Sequence, residues 1–155
     1  MPEEREVLLN ELEDRISHHF HDISLLQEAL THRSIKVERG TSVRTNTRLE
    51  VLGDPILGFI VMEHLYQKFP KADKGELSVK RAEMVSDDRS NEIGSRLELV
   101  KFIEIGGSVR NQNEGKARYI VADALESLIA AINLDDGHRS AWSFVMREIV
   151  HGEWS

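Results

Sequence analysis

The chain has no cysteine. Disulfides, thiolate zinc sites and cysteine nucleophiles are therefore excluded. It has no long hydrophobic run: the longest, around Pro55–Met62, falls far short of the roughly 18 residues needed to span a bilayer. Its opening, MPEEREVLLNELEDR, is acidic and lacks the layout of a signal peptide. A cytoplasmic protein with no membrane partner is the expectation. GxSxG, HExxH and P-loop patterns are missing too. An excess of basic charge is also lacking. The formal net charge is −7, where nucleic-acid binders are usually basic.

What remains is a chain of 155 residues, 40% hydrophobic and 30% charged, which suits one globular domain spanning 1–155. Its charge is uneven. Residues 1–30 hold Glu3, Glu4, Glu6, Glu11, Glu13, Asp14, Asp22 and Glu28 against Arg5 and Arg15. Residues 31–48 reverse the sign, with Arg33, Lys36, Arg39, Arg44 and Arg48 against Glu38. Such a stretch is either a solvated loop or a phosphate-binding segment.

Helical periodicity runs through nearly every segment, and the class expected is all-α. Val7, Leu8, Leu12 and Ile16 mark a first helix near 3–17. Asp22 or Ser24 caps a short second one. Residues 34–45 lack a period and read as a loop. Thr47 and Glu50 have capping-box spacing and open a long helix to about Lys68, ended by Phe69-Pro70. Asp73 with Glu76 opens another, to about Val85. Ser86-Asp87-Asp88 recaps the chain for a helix to about Leu97. Residues 106–115 read as a loop, 116–134 as a second long apolar helix closed by Asp135-Asp136-Gly137, and 139–150 as the last helix. The helices 47–68 and 116–134 are apolar nearly all round and are expected to be buried.

Acids are least expected in those two helices, yet each carries a pair. Glu50 and Asp54 stand at i and i+4, Asp123 and Glu126 at i and i+3. Both spacings place the two acids on one helix face. Each acid alone has a plainer role open to it: Glu50 in the capping box, Asp54 or Asp123 in an ion pair, Glu126 on the surface. The repeated arrangement favours a shared site. If the faces meet, the carboxylates converge, and clustered charges require protonation or a cation. Hard Mg²⁺ or Mn²⁺ suits such oxygen ligands. His18, His19 and His21 read as solvated surface. His32 reads as a cap on helix-end carbonyls, and Gly106-Gly107 is too thin for a phosphate loop. Arg110, Lys116 and Arg118 stand where they would hold phosphate or simply open an exposed helix.

RLEVLGD (48–54) resembles the signature of the ribonuclease III family, whose usual form is NERLEFLGD. EALTHRS (28–34), FPKADKGELSVKRAEMVS (69–86) and ADALESLIAAINLDDG (122–137) are similar to its other blocks, in order. The likeness covers roughly residues 20–150. It implies the all-α ribonuclease III endonuclease-domain fold and an Mg²⁺-dependent endonuclease acting on double-stranded RNA. Such an enzyme leaves 5′-phosphate and 3′-hydroxyl ends and works as a homodimer in RNA processing, ribosomal precursors included. The family's metal-binding carboxylates fall on Glu50, Asp54, Asp123 and Glu126, with Asp54 and Glu126 catalytic. RNA contacts are expected from Arg33, Arg44, Arg48, Lys116 and Arg118. The chain departs from the family at Thr47 and Lys74, where acids are usual. It departs again at Val51, where an aromatic seats in the partner, and at Pro55, where a serine-like residue stands. Val51 and Pro55 mark the expected dimer seam. No double-stranded RNA-binding domain follows in this chain, which leaves either a stand-alone form or one cut before such a domain. A non-catalytic, ribosome-associated RNA-binding relative is the alternative. A helical Mg²⁺-dependent nucleotide pyrophosphatase is a third reading, against which the EALTHRS and GELS blocks speak.

Overall fold

In a computed structural model, the backbone is described for residues 1–110 and 114–151, and side chains for 1–110 and 117–151. The helices are α1 (Glu3–Ile16), α2 (Ile23–Ala29), α3 (Lys36–Arg39), α4 (Thr47–Lys68), α5 (Lys74–Met84), α6 (Asp87–Arg96), α7 (Gly107–Arg110), α8 (Glu114–Asp136) and α9 (His138–Val145). A π-helical turn, Met146–Val150, continues α9. Among the described residues the only β-type pairing is an isolated bridge between Thr31 and Glu104. The class is all-α, as the periodicity implies.

The α8 helix is the axle. Ile120, Val121, Ala122, Ala124, Leu125 and every residue from Ser127 to Ile132 are buried. The α2, α4, α6 and α9 helices pack around it, with α4 in the most extensive contact. Leu57, Ile60, Val61 and Leu65 of α4 join Leu9, Leu12, Ile16, Phe102 and Phe144 in one continuous core. Burial of this apolar surface is the main force holding the bundle together.

The local signals hold at several helix starts. The Asp22 side chain accepts from the Ser24 N–H at 3.0 Å, Asp73 from Glu76 at 2.9 Å, and Ser86 from Arg89 at 3.1 Å. The capping box at Thr47 does not form. Asn46 is the N-cap residue, and its side chain donates to the Ala29 carbonyl at 3.3 Å instead of capping. A tertiary bond has displaced a local one, and Glu50 is left free of a capping role.

Residues 34–45 are also more ordered than a loop. A 3₁₀ turn at Arg33–Ile35 leads into α3. Residues 107–110 form α7, while 111–113 of the expected 106–115 loop lie outside the described residues. The α8 helix runs on to Asp136 and stops where Gly137 takes φ +94°, a value glycine adopts without strain.

The α4 helix runs unbroken through Pro55, but it is not buried all round. Val51 is 75% exposed, Phe59 54% and Tyr66 70%, and Pro55 is exposed beside them. The proline removes the N–H that the Val51 carbonyl would accept from, and on this open side that carbonyl can bond to water. The apolar composition that suggested full burial on α4 therefore conceals an open stripe at helical spacing.

The histidines near the end of α1 are tied down. His18 lies 3.1 Å from Asp135, His19 3.0 Å from Glu13 and His21 3.4 Å from Asp136. Asp135 also accepts the backbone N–H groups of His21 and Asp22 at 3.0 and 2.8 Å. These bonds hold its carboxyl below the usual range and fasten the end of α8 to the α1–α2 turn.

Candidate active site

The contact between α4 and α8 is close enough to touch backbone to backbone. A Cβ added to Gly53 would lie 1.8 Å from the Glu126 carbonyl oxygen. Glycine is required by that approach. It brings the Glu50 and Asp54 level of α4 against the Asp123 and Glu126 level of α8. Asn46, only 2% exposed, fixes the start of α4: its N–H donates to the Thr31 carbonyl at 2.9 Å. The buried Ser127 hydroxyl lies 3.1 Å from the Asn46 carbonyl and 2.8 Å from that of Asp123. These buried polar bonds set the register of the two acid-bearing helices.

The acids feel one another. Burial pushes the Glu126 carboxyl up to about 8, with Asp54, Glu50, Asp123 and Asp87 adding repulsion in that order. Asp123 is raised to about 6, again first by burial, then by the charge of Glu50 and a hydrogen bond shared with it. Arg33 works the other way on Asp123. All four acids marked by helical spacing thus fall within one electrostatic neighbourhood. Among the described residues, no three His, Asp or Glu side chains are gathered tightly enough to hold a metal ion as they stand. The donor set nonetheless fits a hard divalent cation: it is all oxygen, with Glu50, Asp123 and Glu126 half-buried and Asp54 open to solvent.

In the sequence, Asp87 is marked only as part of a helix start. Its place at the beginning of α6 puts a further negative charge near Asp123 and Glu126. No periodicity in α6 signals this, because it depends on how α6 crosses α8.

The basic residues are distributed unevenly. Arg33 lines a pocket with Asp123. Arg48 is exposed one residue before the buried Leu49, and Arg44 is exposed with Glu28 3.9 Å away. Arg118 is tied to Asp88 of α6. The Lys116 side chain lies outside the described residues. His32 differs from its expected carbonyl-capping role. Its Nδ1 accepts the Ser34 N–H at 3.2 Å, so it caps the start of the following 3₁₀ turn.

Residues 22–152 match the Ribonuclease-III-like family model. The chain belongs to the ribonuclease III family. It is 40% identical over 129 residues to a protein named Ribonuclease 3 from Coxiella burnetii, covering 83% of this chain and 53% of that one. A Ribonuclease 3 from Bdellovibrio bacteriovorus is 36% identical over 139 residues, 90% of this chain and 59% of its own. The chain thus spans little more than half the length of these relatives. The crystal structure of the nuclease domain of ribonuclease III from Campylobacter jejuni superposes with a TM-score of 0.83 at 36% identity, covering 94% of this chain and 96% of that one. A second structure of that domain, described for flexibility in a region involved in dimer formation, gives 0.81 at 38% identity, covering 89% and 93%. The ribonuclease III nuclease-domain fold implied by the four sequence blocks is therefore the one observed. No helix among the described residues is long and apolar enough to cross a membrane.

Proposed function

We propose that this domain is an Mg²⁺-dependent endoribonuclease that hydrolyses phosphodiester bonds of double-stranded RNA, leaving 5′-phosphate and 3′-hydroxyl ends. The observation that carries this reading is the meeting of two acid pairs at a backbone-to-backbone helix contact, where burial first and then the neighbouring acids push the Asp123 and Glu126 carboxyls up. Glu50, Asp54, Asp123 and Glu126 would hold the ion, with Mn²⁺ an acceptable substitute. A divalent ion there supplies an activated water and neutralises charge developing on the leaving oxygen. Glu126 and Asp54 are the acids assigned to the reacting centre. Arg33, Arg44 and Arg48 hold backbone phosphates through salt-sensitive contacts, with Lys116 and Arg118 following at the start of α8. An A-form duplex is read through shape, phosphate and 2′-hydroxyl, so little sequence preference is expected. RNA processing in the cytoplasm, ribosomal precursors included, is the setting that fits this reading.

The test is incubation with duplex RNA in Mg²⁺ and, in parallel, in EDTA. Fragments carrying 5′-phosphates in Mg²⁺ alone support the reading. Binding without cleavage in Mg²⁺ would make the chain a non-catalytic RNA-binding relative. Hydrolysis of free nucleotides, with RNA left intact, would make it a pyrophosphatase.

The domain works as a homodimer in this reading, through the open stripe of α4. Val51, Pro55 and Phe59 follow at i, i+4 and i+8. Phe59 also meets the His138 ring at 5.7 Å, and Trp142, one turn further along α9, is 41% exposed. Exposed aromatic residues aligned this way are typical of an interface. The aromatic missing at Val51 is offset by Phe59 two turns on. Phe59→Glu is expected to convert a dimeric mass in light scattering to a monomeric one without loss of helicity. A wild-type chain that is monomeric at working concentration while cutting both strands would overturn the dimer.

A further inference from the structure

Beside Asp123 lies a pocket of about 500 Å³, lined by His32, Arg33, Ser34, Val37, Tyr119 and Ile120 among others. Its size suits a small organic group rather than a bare ion. Its walls are mixed. Val37 and Tyr119 are strongly exposed, while His32 is only 5% exposed. The hydrogen bonds around His32 fix where its proton sits. Nδ1 accepts the Ser34 N–H, and the Ser34 hydroxyl oxygen 2.8 Å away itself accepts the Gly106 N–H at 2.8 Å. Burial and the neighbouring Arg33 lower the pKa of the ring, which stays neutral. The single ring proton therefore belongs on Nε2. That atom has no hydrogen-bond partner among the described residues, and it is not among the polar atoms sealed from solvent. His32 thus brings a fixed donor to a pocket whose wall it shares with the Tyr119 ring and Arg33.

The geometry points to a subsite for one unpaired nucleobase of the RNA strand, seated against the Tyr119 ring with an acceptor on its edge facing His32 Nε2. This rests on the nuclease reading, since Asp123 forms part of the same wall and a strand crossing the carboxylates passes its mouth. Phosphate alone would leave the aromatic and aliphatic walls unused. A base inside a duplex is covered on both faces and cannot enter a concave site, so the occupant is an unstacked one. Aromatic stacking accepts any base, which leaves the edge contact to His32 as the source of preference.

The experiment compares a fully paired RNA duplex, the same duplex with a single-nucleotide bulge, and one with an abasic bulge. The bulge is placed next to the mapped cut. The bulged substrate is expected to give a kcat/KM about tenfold above the other two. Tyr119→Leu should remove that preference while cutting the paired duplex at the wild-type rate, and Tyr119→Phe should restore it. With 2-aminopurine as the bulged base in EDTA, emission should fall on binding to wild type but not to Tyr119→Leu. Equal rates on all three duplexes, or a uniform loss in Tyr119→Leu, would overturn the subsite. Emission quenched by Tyr119 without cleavage of any duplex in Mg²⁺ would support the subsite and overturn the nuclease reading.

Discussion

Replacing Glu126 with glutamine is expected to slow cleavage of duplex RNA by about 10³-fold at millimolar Mg²⁺, while leaving duplex binding largely intact. The substituted amide keeps the side chain's size and its place on α8 but removes the negative charge. In the proposed reading the grip on RNA comes from basic residues elsewhere, so gel-shift affinity and its salt dependence should stay close to wild type. A companion measurement separates a lost ligand from a damaged fold. In the wild type without metal, the Glu126 carboxyl sits at about 8 against an ordinary 4.5. The folded state therefore binds more protons than the unfolded state between these values. Stability from this group is lost as pH rises from about 5 through 8. Glutamine mimics the protonated form at every pH. In EDTA, Glu126→Gln should be more stable than wild type at pH 8 to chemical denaturation, with the gap closing toward pH 5. Added Mg²⁺ should stabilise the wild type and do little for the variant. Near-wild-type cleavage by the variant would remove Glu126 from the site.

The convergence of the four acids was legible because its signal is local. An acid every third or fourth residue on an otherwise apolar helix costs energy unless something compensates, and the sequence shows that conflict twice, at Glu50 with Asp54 and at Asp123 with Glu126. Helix starts at Asp22, Asp73 and Ser86 were legible for the same reason, as a cap is formed by residues two or three apart. What escaped depends on distant partners. Thr47 and Glu50 have the spacing of a capping box, but Asn46 is pulled inward by the Ala29 carbonyl and the box never closes. Asp87 joins the charge cluster only because α6 crosses α8. The open face of α4 escaped for a different reason. Apolar residues all round a helix imply that every side is covered, without saying by what, and an interface with a second molecule satisfies the pattern as well as a core does. Val51, Phe59 and Tyr66 are the residues that distinguish the two, and only their exposure does so.

Gly53→Ala is expected to be the most damaging single-methyl change in the domain. The added carbon would lie 1.8 Å from the Glu126 carbonyl oxygen, 2.6 Å from its carbon and 3.2 Å from its Cα. All three are backbone atoms, so no side chain can swing aside, and α4 and α8 must separate. Alanine is intrinsically better in a helix by about 1 kcal/mol, which works in favour of the variant. Overpacking a rigid contact costs about 1–3 kcal/mol and occasionally more, and this contact lies at the severe end. A net loss of about 2 kcal/mol or more is expected, read as a lowered denaturation midpoint at unchanged slope. Gly75→Ala is the control, because its nearest neighbour is the Asp73 side-chain oxygen at 3.4 Å and the helix-propensity gain should dominate. The functional consequence exceeds the loss of stability. A shift of about 1 Å between the helices moves Glu50 and Asp54 off the Asp123 and Glu126 level, and misplacement on that scale costs about 10²-fold in rate. Measured well below the midpoint, where the variant remains folded, Gly53→Ala should cut RNA about 10²-fold more slowly than wild type. A variant as stable and as fast as wild type would show that the two acid pairs do not depend on this contact for their alignment.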